Sequence, residues 1–234
     1  MTAPGPAPQD LPSSAGAPGD AERLRAFVLA RTRPAPVPLA PELVLLQASE
    51  MHELWRAALE EPPAWEDSPY WAFPWAGGQA LARHVLDHPA LVRGRRVADF
   101  ATGSGLVAIA AARAGAAEVL ALDRDPFAEV AVALNAERNG VAVGFRGGDA
   151  LGQALPGVEV VLAGDVFYER GLAAGALRWF AALAGRGVRV LAGDACRTYA
   201  PREGVTELAW YDVPTTTAIE AAGVRRARVL ELRP

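Results

Sequence analysis

Four aspartates stand at or just past the ends of apolar runs: Asp99 after Val97-Ala98, Asp123 after Val119 to Leu122, Asp165 after the near-continuous run Val158 to Ala163, and Asp194 after Val188 to Ala192. In open α/β sheets, ligands bind outside the carboxyl ends of the strands. Carboxylates gathered there would make an acidic crevice suited to a cation. Any one of them could be a helix cap and nothing more; four together favour the crevice. Asp165 opens Asp-Val-Phe-Tyr, which places Tyr168 three residues on. A carboxylate and a phenol at one strand end can attract an ammonium group and orient an amine for attack. The plainer alternative has Asp165 capping the next helix and Tyr168 in the core.

The elements that would position these groups are clearest between Arg95 and Asp125. A strand through Val97–Phe100 stops at Ala101-Thr102-Gly103-Ser104-Gly105, and an alanine-rich run from Leu106 to Ala114 reads as a helix. Gly115 follows as a C-terminal stop, and a second strand from Glu118 to Leu122 ends in Asp123. Strand, glycine turn, helix, strand and acid form the nucleotide-binding half of a doubly wound sheet. Gly103 to Ala108 also fits the G-x-G-x-x-A dinucleotide fingerprint. Asp99, four residues before Gly103, disfavours that reading, because its carboxylate would face a pyrophosphate dianion. The same carboxylate suits the ammonium of S-adenosylmethionine (AdoMet), which carries no phosphate. An ordinary βαβ turn without a ligand is the remaining alternative.

Bulk composition narrows the classes. At 234 residues, about half of them apolar, the chain can bury the core of one catalytic domain with an N-terminal extension. All 23 basic residues are arginine, so the protein has no lysine side chain of its own to modify. A net charge of −4 argues against nonspecific nucleic-acid binding. No apolar run is long enough to span a membrane, and the first residues do not read as a signal peptide. Cys196 is the single cysteine, which excludes an internal disulfide, points to a reducing cytoplasm, and reads as an inert, at least half-buried thiol. His84 and His88 could share a helix face, but no acid or cysteine pattern accompanies them, so no metal site is expected.

Along the chain, residues 1–19 are Pro, Ala and Gly with little apolar bulk and are expected to be disordered. Residues 20–67 read as a helical extension: a helix from Asp20 to Arg31, an extended connector bearing Pro34, Pro36, Pro38 and Pro41, then an amphipathic helix capped by Ser49. From Ser68 the methyl-donor domain begins with Tyr70, Trp71, Phe73 and Trp75 between prolines, a lid or an aromatic wall, and a helix from Gln79 to His88. A sulfonium is attracted to an indole face, which makes Trp75 the candidate wall. Asp125 and Pro126 start a helix to Arg138, Val143–Arg146 is a short strand, and Asp149 at its exit is an expected adenine contact. Thereafter come a strand to Ala163, a helix from Arg170 to Leu183, a strand to Ala192, and closing strands over Thr206–Val213 and Arg226–Leu232 with a short helix near 215–222.

The ordered set PYWAFPWAGGQAL, DFATGSG, LDRDP, LN and GDVFYE resembles family 16 of the seven-strand methyltransferases, over roughly Val37 to Leu232. Within it the likeness is greatest to the enzymes that methylate lysine on electron transfer flavoprotein β subunit, with their bacterial homologues. The glycine turn alone is a weak signal; the aromatic segment together with D-x-x-Y is a strong one. The resemblance implies a Rossmann-like class I fold, with a seven-stranded, mostly parallel sheet whose last strand is antiparallel. It implies that Asp99, Gly103 and Gly105 hold the methionine end of AdoMet, Asp123 the ribose and Asp149 the adenine region. Trp75 and Gly164 would lie beside the cofactor, and Asp165 and Tyr168 would face the target lysine of a protein substrate. Ala101 departs from the family, which has glycine there, and the loop after Asp194 lacks an expected proline. A small-molecule N-methyltransferase would share every cofactor residue but need an enclosed pocket. A silent AdoMet-binding module would not need the acid set.

Overall fold

The computed structural model describes residues 20–60, 68–215 and 223–234. The expected tail over 1–19 and helix near 215–222 lie largely outside these. Among the described residues no helix is long and apolar enough to cross a membrane.

Seven strands form one sheet: β3 (Arg96–Phe100), β4 (Glu118–Asp123), β5 (Gly144–Gly147), β6 (Val160–Gly164), β7 (Arg189–Asp194), β8 (Val205–Pro214) and β9 (Val224–Leu232), in the order β5-β4-β3-β6-β7-β9-β8. All pairings are parallel except those of β9, which runs antiparallel to both β7 and β8. The chain moves outward from β3 through β4 to β5, then returns to the other side of β3 for β6 and β7. The strand order therefore reverses between β3 and β6, the place where doubly wound sheets bind ligands.

Helices cover both faces, and this is why the central strand β6, Val-Val-Leu-Ala-Gly, has no polar side chain rather than alternating ones. Along β3, Val97 faces a core shared with α3 (Ala76–Asp87) and α4 (Leu106–Arg113), while Ala98 and Phe100 face α6 (Arg170–Ala184). Asp99 shares the parity of Val97, so it points toward the start of α4. Pro126 at the first turn and Asp125, whose Oδ1 accepts the Phe127 N–H at 2.8 Å, start α5 (Pro126–Arg138) as the sequence indicates.

The N-terminal segment departs from expectation. α1 (Asp20–Arg31) forms, but the proline-rich connector is a β-hairpin of β1 (Arg33–Val37) and β2 (Ala40–Gln47), so the extension is not wholly helical. Prolines are tolerated because an edge strand need not donate every N–H, and β2 buries Leu43 and Leu45 against α3, α4 and α5. Each such leucine contributes about 1.5–3 kcal/mol. Asn135 of α5 and Asn139 at its C-cap hydrogen-bond the backbone of β2 at Leu46 and Val44, which ties the hairpin to the domain. Ser49 does not cap the following helix α2 (Met51–Leu59); the N-cap is Glu50, without a side-chain bond.

Candidate active site

A cavity of about 570 Å³ opens at the carboxyl ends of β3, β4 and β6, and Asp99, Asp123, Asp149 and Asp165 all line it. Gly103, Trp75, Gly164 and Tyr168 line it too. Gly105 does not. It is the N-cap of α4 at φ 79°, and a Cβ there would stand 3.1 Å from Val132 Cγ2 of α5, so bare backbone is what lets the turn close on that helix. Ala101 adopts φ 54°, a left-handed conformation that costs a side chain about 1–2 kcal/mol; glycine would avoid this cost.

Asp99 is 1% exposed, and its Oδ2 accepts the Thr102 hydroxyl at 2.5 Å and the Ala108 N–H at 3.0 Å. Burial raises its carboxyl to about pKa 7, against the opposing pull of those two hydrogen bonds. Among the described residues no cation pairs with it. A buried carboxylate so placed fits the ammonium end of AdoMet and is a poor neighbour for a pyrophosphate. Asp123 accepts the Gly103 N–H at 2.8 Å through Oδ2 and the Asp125 N–H at 3.0 Å through Oδ1. Burial raises this carboxyl too, while those N–H groups draw it back. With the Arg124 N–H also hydrogen-bonded to this carboxylate, one lone-pair site remains for a hydroxyl donor. Asp149 is exposed and caps its own turn by accepting the Leu151 N–H at 2.9 Å.

Asp165 sits at φ 56°, and its Oδ2 accepts the Gly78 N–H at 2.7 Å. It therefore caps the N-terminus of α3, which begins at Ala76, three residues before the Gln79 read from the sequence. It does not cap the helix that follows it, since Glu169 does that for α6. Tyr168 is 44% exposed rather than in the core, with its ring 5.4 Å from that of Tyr70. The Trp75 ring packs edge-on to Tyr70 at 5.6 Å and donates its Nε1–H to the Tyr70 carbonyl at 3.0 Å. The aromatic segment thus forms one wall of the cavity mouth.

Two features lay beyond sequence reasoning. The first is the approach of α3 to the sheet: a Cβ on Gly193 would stand 2.0 Å from the Gly77 carbonyl oxygen, and one on Gly164 2.9 Å from Gly78 Cα. The pair Gly77-Gly78 at a helix start is the signal that could have revealed it. The second concerns Asp194, which is wholly buried and held by the Arg228 Nε of β9 at 3.2 Å. It does not line the cavity, so three of the four strand-end aspartates, Asp99, Asp123 and Asp165, face the crevice. Cys196, in the next turn, is exposed at φ 57° rather than half-buried. His84 and His88 stack at 4.3 Å, and His84 Nδ1 lies 3.0 Å from the Tyr211 hydroxyl, so this face of α3 serves packing on β8.

A glycine turn opening on an acid-lined cavity, at the switch point of a seven-stranded sheet with an antiparallel β9, defines a class I methyltransferase whose methyl donor is AdoMet. The sequence model of the ribosomal protein L11 methyltransferase (PrmA) family matches residues 81–163. The electron transfer flavoprotein β-subunit lysine methyltransferase of Xenopus laevis is 36% identical over 217 residues, covering 90% of this chain and 87% of that protein. Its counterpart from Mus musculus is 35% identical over 203 residues, covering 84% and 78%. The crystal structure of magnesium protoporphyrin IX methyltransferase from Synechocystis PCC 6803 with bound SAM aligns at TM-score 0.49 and 20% identity, over 68% of this chain and 80% of that one. The chain belongs to the family of electron transfer flavoprotein β-subunit lysine methyltransferases.

Proposed function

We propose that the protein methylates lysine ε-amines of a protein substrate, and that this substrate is electron transfer flavoprotein β subunit, as the names of its relatives suggest. The observation that carries this reading is Asp165: a residue held in a left-handed backbone, with one carboxylate oxygen fixed by Gly78 at the mouth of the cofactor cavity. Asp99, Gly103 and Gly105 would hold the methionine end of AdoMet, Asp123 the ribose hydroxyls and Asp149 the adenine region, with Trp75 and Gly164 alongside. Bound there, AdoMet would supply a sulfonium methyl whose carbon a neutral amine attacks in line, with S-adenosylhomocysteine as the leaving group.

The chain's own task is to deliver that amine neutral and aligned. Lysine is protonated at neutral pH, with a reference pKa of about 10.4. Asp165 draws the ammonium in, and the positive end of α3 favours negative charge on this carboxylate. Its role is attraction and orientation rather than strong proton acceptance. The proton leaves to water at the open mouth beside Tyr168, whose hydroxyl then orients the lone pair. Tyr70 and Trp75 shield the alkyl arm from solvent, which strengthens the polar contacts deeper in. The lone Cys196 supports a reducing compartment, the cytoplasm, as the setting.

Asp165→Asn keeps the acceptor for Gly78 but removes the charge. It should cut methyl incorporation by about a hundredfold or more, with AdoMet affinity far less affected, and Tyr168→Phe should be a milder version. Parallel measurement of incorporation and AdoMet binding decides it: native incorporation by Asp165→Asn would rule out the lysine-site reading.

A further inference from the structure

The loop after β7 brings into the cavity a cation for which the roles of Asp165 and Tyr168 leave no task. Arg197 lines the cavity, and its Nη2 lies 3.9 Å from Asp165 Oδ1. The loop's course is fixed from below. Buried Asp194 accepts the Arg197 backbone N–H at 3.1 Å through Oδ1 and the Arg228 guanidinium at 3.2 Å through Oδ2. Cys196 between them holds the left-handed φ of 57°. A buried ion pair and a left-handed non-glycine residue therefore set the backbone that presents Arg197 to Asp165. On the outer side of the same turn, the Arg226 carbonyl lies 3.8 Å from Cys196 Sγ, and the Arg226 guanidinium stacks over Trp210 at 4.4 Å. Among the described residues, Arg197 and Arg124 are the two cations of a lining that carries six carboxylates, from Asp99, Asp123, Asp125, Asp149, Asp165 and Glu169.

We propose that Arg197 is a specificity-determining residue: its guanidinium holds the place beside Asp165 that the target ammonium must take, and a carboxylate flanking the target lysine draws it aside. This rests on Asp165 being the lysine site. Two cations at one carboxylate repel each other, so a lysine without an acidic neighbour must compete with Arg197. A lysine with such a neighbour offers Arg197 a charge-assisted, bidentate partner and leaves Asp165 to the ammonium. Arginine suits the task because it never loses its charge and its planar fork matches a carboxylate. The acidic surface that such a substrate presents would be repelled by this chain as a whole, and Arg197 beside Asp165 supplies a local complement.

The test uses two peptides that differ only in Asp or Asn beside a single lysine. Their binding to the full chain is measured by calorimetry in the presence of S-adenosylhomocysteine, and their methylation with AdoMet. The native protein should prefer the Asp peptide by about tenfold, expressed in KM rather than kcat. Arg197→Gln should bring the two peptides within about twofold by improving the Asn peptide, and Arg197→Lys should restore part of the preference. Equal binding of both peptides by the native protein, or a preference that survives Arg197→Gln, would overturn the proposal. If the binding preference appears but neither lysine is methylated, the transfer reading fails and the role of Arg197 stands.

Discussion

Replacing Asp99 with Asn separates what this residue does for the cofactor from what it does to the fold. With a folded pKa of about 7 against an ordinary 3.8, Asp99 keeps in the folded chain a proton that the unfolded chain has already lost. The folded state therefore binds more protons between those values, and the residue's contribution to stability falls as pH rises through this window. Fully ionised, the buried carboxylate costs about 4 kcal/mol, at roughly 1.4 kcal/mol per tenfold change in proton affinity. Asn is neutral in both states, and its Oδ1 can accept the Thr102 hydroxyl and Ala108 N–H that Asp99 Oδ2 accepts now. The ligand-free variant should thus gain on the native chain by about 2 kcal/mol at pH ~5.5 and about 4 kcal/mol at pH ~8.5. The growth of about 2 kcal/mol between the two carries the test, because any constant packing difference cancels. For a chain of this length it corresponds to a Tm gap that widens by about 4–8 °C. Saturating AdoMet should reverse the order at high pH if, as proposed, the charge that the variant has lost faces the ammonium. Thermal melts at both pH values, with and without AdoMet, read all of this. A Tm gap that does not change with pH would refute the reasoning.

Asp123→Ala should weaken AdoMet binding by about 1.5–3 kcal/mol, and calorimetry with NAD alongside AdoMet checks that the turn takes the methyl donor. Gly193→Ala sets a methyl 2.0 Å from the Gly77 carbonyl oxygen and 2.9 Å from Leu81 Cβ, neither the free end of a flexible side chain, so urea titration should show a loss of about 3 kcal/mol or more. Gly223→Ala, which would meet nothing among the described residues within 4 Å, should stay within about 0.5 kcal/mol. Arg228→Ala strands the buried carboxylate of Asp194 and should cost about 3–5 kcal/mol, much of it recovered by adding Asp194→Asn.

What could be read from the sequence follows the range of the forces involved. β6 and β7 announce themselves because strands covered on both faces are apolar along their centres, and α5 because its cap and its proline are local. The hairpin at Arg33–Gln47 was hidden by its prolines, since what forms it is the burial of Leu43 and Leu45 against helices more than thirty residues away in sequence. The carboxylates of the site were legible as strand ends, but their partners were not. Asp165 is held by Gly78 and Asp194 by Arg228, each a contact between distant parts of the chain. Residue type alone could not tell that Asp194 is neutralised in the interior while Asp165 faces the cavity. That Asp165 and Tyr168 act as a pair toward a target lysine came from the D-x-x-Y pattern only through family resemblance.

The central claim is transfer of methyl groups to lysine of a protein, and the most direct test is to incubate the purified protein and labelled AdoMet with purified electron transfer flavoprotein β subunit, then map the label by peptide mass spectrometry. The account predicts label on lysine ε-amines of that subunit with the native protein and almost none with Asp165→Asn. Label confined to small molecules or to residues other than lysine, or label on lysine undiminished by Asp165→Asn, would contradict it.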